Sequence, residues 1–175
     1  MTSPFVAPDL DAPQLAHVVG SPIGRLLLTG DGHALTGLWM LDAGRGSAQL
    51  AGLRLQPEAF GEVEEQLEEY FGGQRKEFTV PLAPTGTPFQ LAVWEQLTQI
   101  PYGSTVSYGD IARALGKRLV ASRAVGLANG RNPISVIVPC HRVIGSDGSL
   151  TGYGGGLERK ELLLRLEGAS ALALW

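Results

Sequence analysis

Residues 107–130, SYGDIARALGKRLVASRAVGLANG, are the stretch from which the fold can be argued. Ser107 suits the N-cap of a helix over YGDIARALG, because a serine oxygen can accept a hydrogen bond from an unpaired N–H of the first turn. After a short turn, ASRAVGLANG predicts a second helix that ends at glycine. Two short helices around a glycine-containing turn are typical of a helix-turn-helix, although ordinary helical pairs share the pattern.

The flanking segments extend the helical pattern. TPFQLAVWEQLTQI opens with Thr87-Pro88, a helix start, and ends at the turn PYG. LERKELLLRLEG predicts the last helix. The β-branched run VIV before Pro139 predicts a short buried strand that leads to Cys140. Residues 85–175 therefore predict a mostly helical domain with one short strand.

The first half of the chain has the sequence pattern of short strands with one helix, unlike the mostly helical second half. Residues 15–41 predict short strands broken at SPIG and GDG, and PEAFGEVEEQLEEYFGG predicts a helix that begins at Pro57. KEFTVPLAPTGTP predicts a strand and a connector, and residues 1–13 a loose arm. The fold class is therefore α+β: an N-terminal domain over 1–84 with a small antiparallel sheet and a helix, then the helical domain over 85–175.

Composition and charge limit the class of protein. Of 175 residues, 44% are hydrophobic and 18% charged, as in a soluble globular protein. Residues 1–84 hold 5 Lys/Arg against 11 Asp/Glu, a formal charge of −6, whereas residues 85–175 hold 9 against 6, or +3. A basic C-terminal half is weak evidence for a polyanionic partner such as nucleic acid.

Several classes of site and location are disfavoured. A single cysteine excludes an internal disulfide, and three histidines with one cysteine leave little for a zinc site. We expect no metal and no cofactor. The first basic residue is Arg25, and no apolar run approaches the ~18 residues of a membrane span, so the sequence predicts a cytoplasmic protein.

The one cysteine, Cys140, has two possible roles. A nucleophilic thiol needs a base or a positive neighbour, and His141 and Arg142 follow directly. Neighbours on an extended chain point to opposite faces, so contact with His141 would need a bend or a bridging water. Glu167 is a candidate for the group that orients the imidazole. The alternative is a buried core cysteine with Arg142 paired to an acid, and residue chemistry leaves both open.

A family resemblance decides between them. IVPCHRVIG, preceded by RAVGLANGRNPI and followed by TGYGGGLERKELLLRLEG, resembles the O6-alkylguanine-DNA alkyltransferases, also called methylated-DNA–protein-cysteine methyltransferases. The likeness is nearly continuous from Phe89 to Gly168 and includes IPYGSTVSYGDIARALG. Before residue 84 it is faint, and there it implies a ribonuclease H-like N-terminal domain.

The resemblance implies a chemistry for four residues. Cys140 would attack the alkyl carbon on guanine O6 and keep it as a thioether, so each molecule would act once. His141 would take the thiol proton through a water, with Glu167 orienting the ring. Tyr108 would donate a hydrogen bond to guanine N3 and so stabilise the leaving guanine anion.

The resemblance also implies how damaged DNA is bound. The target oxygen lies inside the duplex, so the nucleotide must be flipped out. A helix-turn-helix would enter the minor groove, with Arg123 filling the vacated space and Tyr108 crowding the phosphate. Small residues of the second helix suit a narrow groove, although helix packing explains them equally well. The implied DNA-binding residues are Arg123, Tyr108, Ser107, Ala124 and Gly130, and the implied substrate-binding residues are Asn132, Tyr153, Gly154 and Gly155.

Two departures and two rival functions remain open. The turn GKRLVAS is one residue longer than expected and lacks a proline, and Gly154 stands where some relatives carry serine. A DNA-binding module without a nucleophile is disfavoured by Cys140, and an unrelated Cys-His hydrolase would need no helix-turn-helix. Double-stranded DNA bearing O6-alkylguanine is the expected partner, with repair of O4-alkylthymine and weak self-association on DNA left open.

Overall fold

The computed structural model describes residues 3–43 and 49–169. By their contacts these residues form two compact units. The first lies within Met1–Thr85 and also takes in Pro133–Ser135, and the second lies within Gly86–Asn132 and Val136–Trp175. No helix in the described ranges has the length and apolar character needed to cross a bilayer.

The first unit is built on a four-stranded sheet. Its strands are β1 (Leu15–Val19), β2 (Leu26–Gly30), β3 (Leu35–Met40) and β4 (Arg54–Leu55), in the order β3-β2-β1-β4. The β1/β2 and β2/β3 pairs are antiparallel, but β4 runs parallel to β1. The predicted antiparallel sheet is confirmed for β1, β2 and β3, and only the two-residue strand β4 departs from it. Because β4 follows a long excursion of the chain rather than a hairpin, it can return in the parallel sense.

One helix that lies wholly within the described residues accompanies this sheet. A 3-10 turn over Pro57–Phe60 leads into α1 (Gly61–Phe71), which buries Val63, Leu67 and Tyr70. Val63, Leu67 and Tyr70 follow one another at the four- and three-residue spacing of one helix face. The expected helix start at Pro57 thus corresponds to a tighter first turn and then a regular helix.

Two expectations for this unit are corrected. Residues 76–82 form no regular strand, and Leu82 makes only isolated bridges to Phe5 and Leu35. Prolines 81 and 84 lack the N–H that a strand ladder needs, which interrupts the pairing. The described part of the predicted loose arm is also tied down, because Val6 donates to the Leu82 carbonyl and Asp9 N–H to the Asp31 carboxylate.

The second unit contains four helices in its described residues: α2 (Pro88–Thr98), α3 (Tyr108–Ala114), α4 (Ser122–Gly130) and α5 (Leu157–Leu166). Capping boxes start two of them, with Thr87 and Gln90 at α2 and Ser107 and Asp110 at α3. In each box the side chains and backbone N–H groups at the helix start satisfy one another.

The helix-turn-helix consists of α3 and α4 with a short 3-10 turn, Leu119–Ala121, between them. Helix α2 packs behind it, and the Trp94 indole N–H donates to the Ala128 carbonyl at 2.9 Å. A two-stranded parallel ladder joins β5 (Val106–Ser107), directly before α3, to β6 (Val143–Ile144). The ladder holds the start of α3 beside the chain that follows Cys140.

The predicted strand before Cys140 does not form. Residues 135–138 make a turn, and Val136 has a φ of 71°. Positive φ is unusual for a β-branched residue, so tertiary contacts must hold it. Val136, Ile137 and Val138 are all buried, which means that the VIV run signalled burial rather than strand pairing.

Candidate active site

Cys140 begins a single 3-10 turn that ends at Arg142. The Cys140 N–H donates to the Val138 carbonyl at 2.8 Å, and the Arg142 N–H donates to the Pro139 carbonyl. This turn supplies the bend between Cys140 and His141 that an extended chain would lack. Cys140 is buried, with only 4% of the residue exposed.

Glu167 accepts hydrogen bonds from both residues that follow the cysteine. His141 Nε2 lies 2.7 Å from Glu167 Oε1, while Arg142 donates through Nε to Oε2 at 2.8 Å and through Nη2 to Oε1 at 3.0 Å. The side chains of His141 and Glu167 are fully buried, and that of Arg142 is 8% exposed. A forked pair of this kind fixes the plane of the carboxylate and so the direction in which it meets the imidazole.

The PYG turn closes over the same carboxylate. The Gly103 N–H donates to Glu167 Oε2 at 3.3 Å, and the Tyr102 hydroxyl donates to the Leu166 carbonyl. Gly103 has a φ of 77°, and a Cβ there would lie 2.8 Å from the Glu167 carbonyl oxygen. Only glycine fits at this point.

Burial sets the protonation of His141. Desolvation lowers its pKa below the ordinary 6.5, with a smaller opposing contribution from Glu167, so the imidazole is neutral at pH 7. Since Nε2 faces the carboxylate oxygen, Nε2 carries the proton and Nδ1 is the basic nitrogen. His141 Nδ1 is buried and has no hydrogen-bond partner among the described residues. The ring can therefore accept a proton at Nδ1.

Two asparagines connect α4 to the cysteine turn. Asn132 Nδ2 donates to the Val138 carbonyl at 2.8 Å, and Asn129 Nδ2 donates to the Cys140 carbonyl at 3.3 Å. Both side chains are buried. Asn132, which the resemblance implied to be a substrate-binding residue, thus ties the helix-turn-helix to the active-site segment, and Asn129 makes a second link that sequence reasoning missed.

Tyr108 and Ser107 lie at the start of α3. A Cβ added at Gly126 would lie 3.7 Å from the Tyr108 ring, so the ring packs on the backbone of α4. Ser107 accepts the Asp110 N–H as the helix cap and donates its hydroxyl to Asp110 Oδ2 at 2.7 Å. The Ser107 hydroxyl is therefore engaged in capping, a structural role that exists without DNA.

The other predicted DNA-binding residues lie on α4. Arg123 and Ala124 are exposed at its first turns, and Gly130 ends it half-buried. Arg123 makes no hydrogen bond or ion pair with the residues that the structure describes. Its guanidinium is therefore available to an external partner.

The predicted substrate-binding glycines and tyrosine occupy the loop over residues 145–156, which precedes α5. Tyr153 is half-buried, Gly154 is exposed and Gly155 is buried. Arg159 donates to the Gly155 carbonyl at 2.8 Å, which secures the end of the loop. We call residues 145–156 the substrate loop.

Sequence reasoning missed Lys160 and Thr151. Lys160 is 0% exposed and donates through Nζ to the Val143 carbonyl at 2.6 Å and the Thr151 carbonyl at 2.8 Å. A signal existed for Lys160, because Lys160, Leu163, Leu164 and Glu167 recur at helical spacing and are all buried. Charges at both ends of an apolar stripe mark buried, partnered groups. Thr151 gave no sequence signal.

The described part of the chain contains no cluster of side chains suited to bind a metal ion. Within residues 3–43 and 49–169, no group of three or more His, Cys, Asp or Glu side chains is arranged so that it could hold a metal ion. The carboxylate of Glu167 is already occupied by nitrogen donors.

Both halves of the chain match models of one family. Residues 15–84 match "6-O-methylguanine DNA methyltransferase, ribonuclease-like domain", and residues 88–169 match "6-O-methylguanine DNA methyltransferase, DNA binding domain". The second match contains Cys140, His141 and Glu167. The first covers the part of the chain where the resemblance in sequence was faint.

Individual relatives agree over most of the chain. Proteins named methylated-DNA–protein-cysteine methyltransferase from Methanosarcina acetivorans and Mycobacterium leprae are 52% and 54% identical, covering 85% and 84% of this chain and 95% and 88% of their own. The crystal structure of Mycobacterium tuberculosis OGT in complex with DNA is 49% identical with a TM-score of 0.82, covering 91% of this chain and 98% of that one. With both of its halves matched and its relatives aligned almost end to end, the chain belongs to the 6-O-methylguanine DNA methyltransferase family.

Proposed function

We propose that this protein repairs DNA by moving the alkyl group of O6-alkylguanine to Cys140, irreversibly and once per molecule. The observation that carries the proposal is a buried cysteine whose neighbour His141 is held by Glu167, with its Nδ1 left as a basic nitrogen. Double-stranded DNA with an O6-alkylated guanine is the substrate. Membership of the family supports this assignment.

The proposed chemistry is an in-line displacement. The Cys140 thiol loses its proton through a water to His141 Nδ1, since a buried polar nitrogen without a protein partner calls for a water. The sulfur then bonds to the alkyl carbon while the bond from that carbon to guanine O6 breaks. The electron pair leaves with the guanine, which takes a proton from solvent water. A thioether offers water no carbonyl to attack, so Cys140 is not regenerated.

Glu167 and Arg142 would act behind the imidazole. Glu167 keeps the proton on Nε2 and stabilises the imidazolium that forms when Nδ1 accepts the thiol proton. Arg142 neutralises the buried carboxylate and fixes its direction. The pKa of His141 is lowered by burial, and this keeps the imidazole in its neutral, proton-accepting form.

The remaining predicted residues would deliver the base to the sulfur. Arg123, exposed on α4, fills the stack that the flipped nucleotide leaves, and Ala124 and Gly130 let the helix approach a narrow minor groove. Tyr108 donates to guanine N3 as the leaving anion develops. Asn132 holds the active-site segment to α4, while Tyr153, Gly154 and Gly155 close the substrate loop over the base.

We also propose a cytoplasmic location. A thiol that must remain reduced until it meets its substrate is preserved in a reducing compartment. Cys140 is the only cysteine in the chain, so an oxidising compartment would offer it no stabilising internal disulfide.

Transfer of label tests the proposed function. Duplex DNA with radiolabelled O6-methylguanine is incubated in excess with the protein, and the label is followed. We expect label on protein, limited to one equivalent and abolished by Cys140→Ala. His141→Gln should slow transfer, whereas His33→Gln, at an exposed histidine of the first unit, should not. Release of label to solvent with continued turnover would indicate a hydrolase and overturn the proposal.

A further inference from the structure

The Tyr108 hydroxyl has a protein partner in the substrate loop. Thr151 Oγ1 donates to the Tyr108 hydroxyl oxygen at 3.2 Å. The ring of the same tyrosine packs on the backbone at Gly126. The phenol is thus held at two points, by α4 along its ring and by the substrate loop at its oxygen.

The backbone carbonyl of Thr151 accepts a hydrogen bond from a buried lysine. Lys160 Nζ, at the first turns of α5, donates to the Thr151 carbonyl and to the Val143 carbonyl. Val143 lies in β6, three residues after Cys140, and β6 pairs with β5 directly before Tyr108. One buried ammonium group therefore joins the substrate loop to the chain that carries the nucleophile.

The charge of Lys160 suits this position. It forms no ion pair with a carboxylate among the described residues, and its two hydrogen-bond acceptors are both backbone carbonyls. Burial lowers its pKa to about 8, and attraction to the charge of Cys140 partly opposes that change. Burying an ammonium group is unfavourable unless it is hydrogen-bonded, so the two carbonyl contacts offset part of that cost and hold both carbonyls in place.

The direction of the Thr151 hydrogen bond matters for the chemistry. With one lone pair of the phenol oxygen occupied by Thr151, the proton of Tyr108 is directed away from the loop and is free for an acceptor. An O–H group whose oxygen accepts a hydrogen bond is also a stronger donor. Both effects improve donation to a leaving guanine at the moment when negative charge develops on it.

We propose that Thr151, anchored through its backbone by Lys160, is a positioning residue that aims the Tyr108 hydroxyl at the departing base. The inference rests on the proposed function, since it assigns Thr151 a role in that same transfer. Thr151 touches no reacting atom and acts only through Tyr108. It also links the start of the helix-turn-helix to the loop that closes over the base.

The test is a set of variants that separates positioning from general loop structure. Thr151→Val keeps the β-branched shape and removes the hydroxyl, and Thr151→Ser keeps the hydroxyl. Thr151 is exposed, so neither change disturbs the core. Thr98→Val is the control for loss of a threonine hydroxyl elsewhere, because the Thr98 hydroxyl donates to the Glu95 carbonyl of its own helix and accepts from Gln99 Nε2, next to it in the chain. Single-turnover transfer from duplex O6-methylguanine is measured against protein concentration, which separates the maximal rate constant from half-saturation.

We expect Thr151→Val to lower the maximal rate constant about fivefold to tenfold, the equivalent of one hydrogen bond, with half-saturation unchanged. Thr151→Ser should restore the rate, and Thr98→Val should match the parent protein. In a Tyr108→Phe background, Thr151→Val should have no further effect, because the group that it positions is gone.

The inference is overturned if Thr151→Val transfers as fast as the parent protein, if its loss is the same in the Tyr108→Phe background, or if only half-saturation changes. These results are distinct from failure of the proposed function. In that case the unmodified protein itself would transfer no methyl group to Cys140, and the inference would fall with it.

Discussion

Glu167→Gln removes the negative charge that pairs with Arg142 and His141 in the active site. The Glu167 side chain is fully buried and the Arg142 side chain is 8% exposed, with two hydrogen bonds between them at 2.8 and 3.0 Å. Glu167→Gln keeps the shape but leaves the guanidinium without its counter-charge. The glutamine amide also turns an N–H group toward donors on Arg142, His141 or Gly103.

The expected loss is large for one isosteric change. Breaking a buried ion pair by removing one partner costs about 3–5 kcal/mol. A glutamine oxygen can still accept one of the bonds, so we expect the lower end, about 3 kcal/mol. For a chain of this length that corresponds to a fall in Tm of about 10 °C. It is also a sizeable part of the roughly 5–15 kcal/mol that holds a typical domain folded.

Urea unfolding followed by circular dichroism measures this loss. Glu161→Gln is the matched control on the same helix, because Glu161 pairs with Arg165 at the surface, where the two side chains are 40% and 65% exposed. That variant should lose no more than about 0.5 kcal/mol. If Glu167→Gln were as stable as Glu161→Gln, the buried carboxylate would not be what holds Arg142 and His141, and the reasoning would be refuted.

Three further predictions concern pH, DNA and substrate range. Burial lowers the pKa of His141 below 6.5, so below about pH 6.5 this histidine is protonated in the unfolded chain but stays neutral in the folded chain. The free energy of unfolding should therefore fall as the pH drops below about 6.5. His141→Gln should flatten that slope in urea unfolding at a series of pH values, and an unchanged slope would contradict the assignment. Arg123→Ala should slow repair of duplex DNA by about tenfold yet leave the rate of reaction with free O6-benzylguanine unchanged. Arg54→Ala, at another exposed arginine, is the control. Equal losses of rate on both substrates would exclude the stacking role. Gly154→Ser should lower the ratio of benzyl to methyl repair rates by about fivefold if the glycine leaves room for bulky adducts, and an equal ratio would count against it.

Local signals in the sequence were reliable where the backbone satisfies itself nearby. Ser107 was expected to cap the first helix of the helix-turn-helix, and it does so in a capping box with Asp110. Thr87-Pro88 likewise opens α2. Both depend on residues three positions apart, which a sequence displays directly.

Signals failed where distant groups decide the local structure. The VIV run predicted a strand, but the Val138 carbonyl is taken by the Asn132 side chain and the Cys140 N–H, and Val136 adopts a positive φ. β-branched residues were selected there for burial, which a strand and a buried turn demand alike.

Some active-site residues could likewise be predicted from the sequence, whereas others could not. Cys140 and His141 are adjacent and stand out in the sequence, and Glu167 could be nominated but not chosen by spacing. The bidentate bond from Arg142 to Glu167 and the two carbonyls bound by Lys160 became apparent only in three dimensions. These contacts join residues 9–25 positions apart, a range over which neither helical nor strand periodicity carries information.

The most direct test of this account is mass spectrometry of the peptide that contains Cys140, after the protein has met duplex DNA bearing O6-methylguanine. The account predicts a mass increase of one methylene unit on that peptide, located at the sulfur, with repaired guanine appearing in equal amount. Repair of the DNA with an unmodified Cys140, or a methyl group carried by another residue, would contradict it.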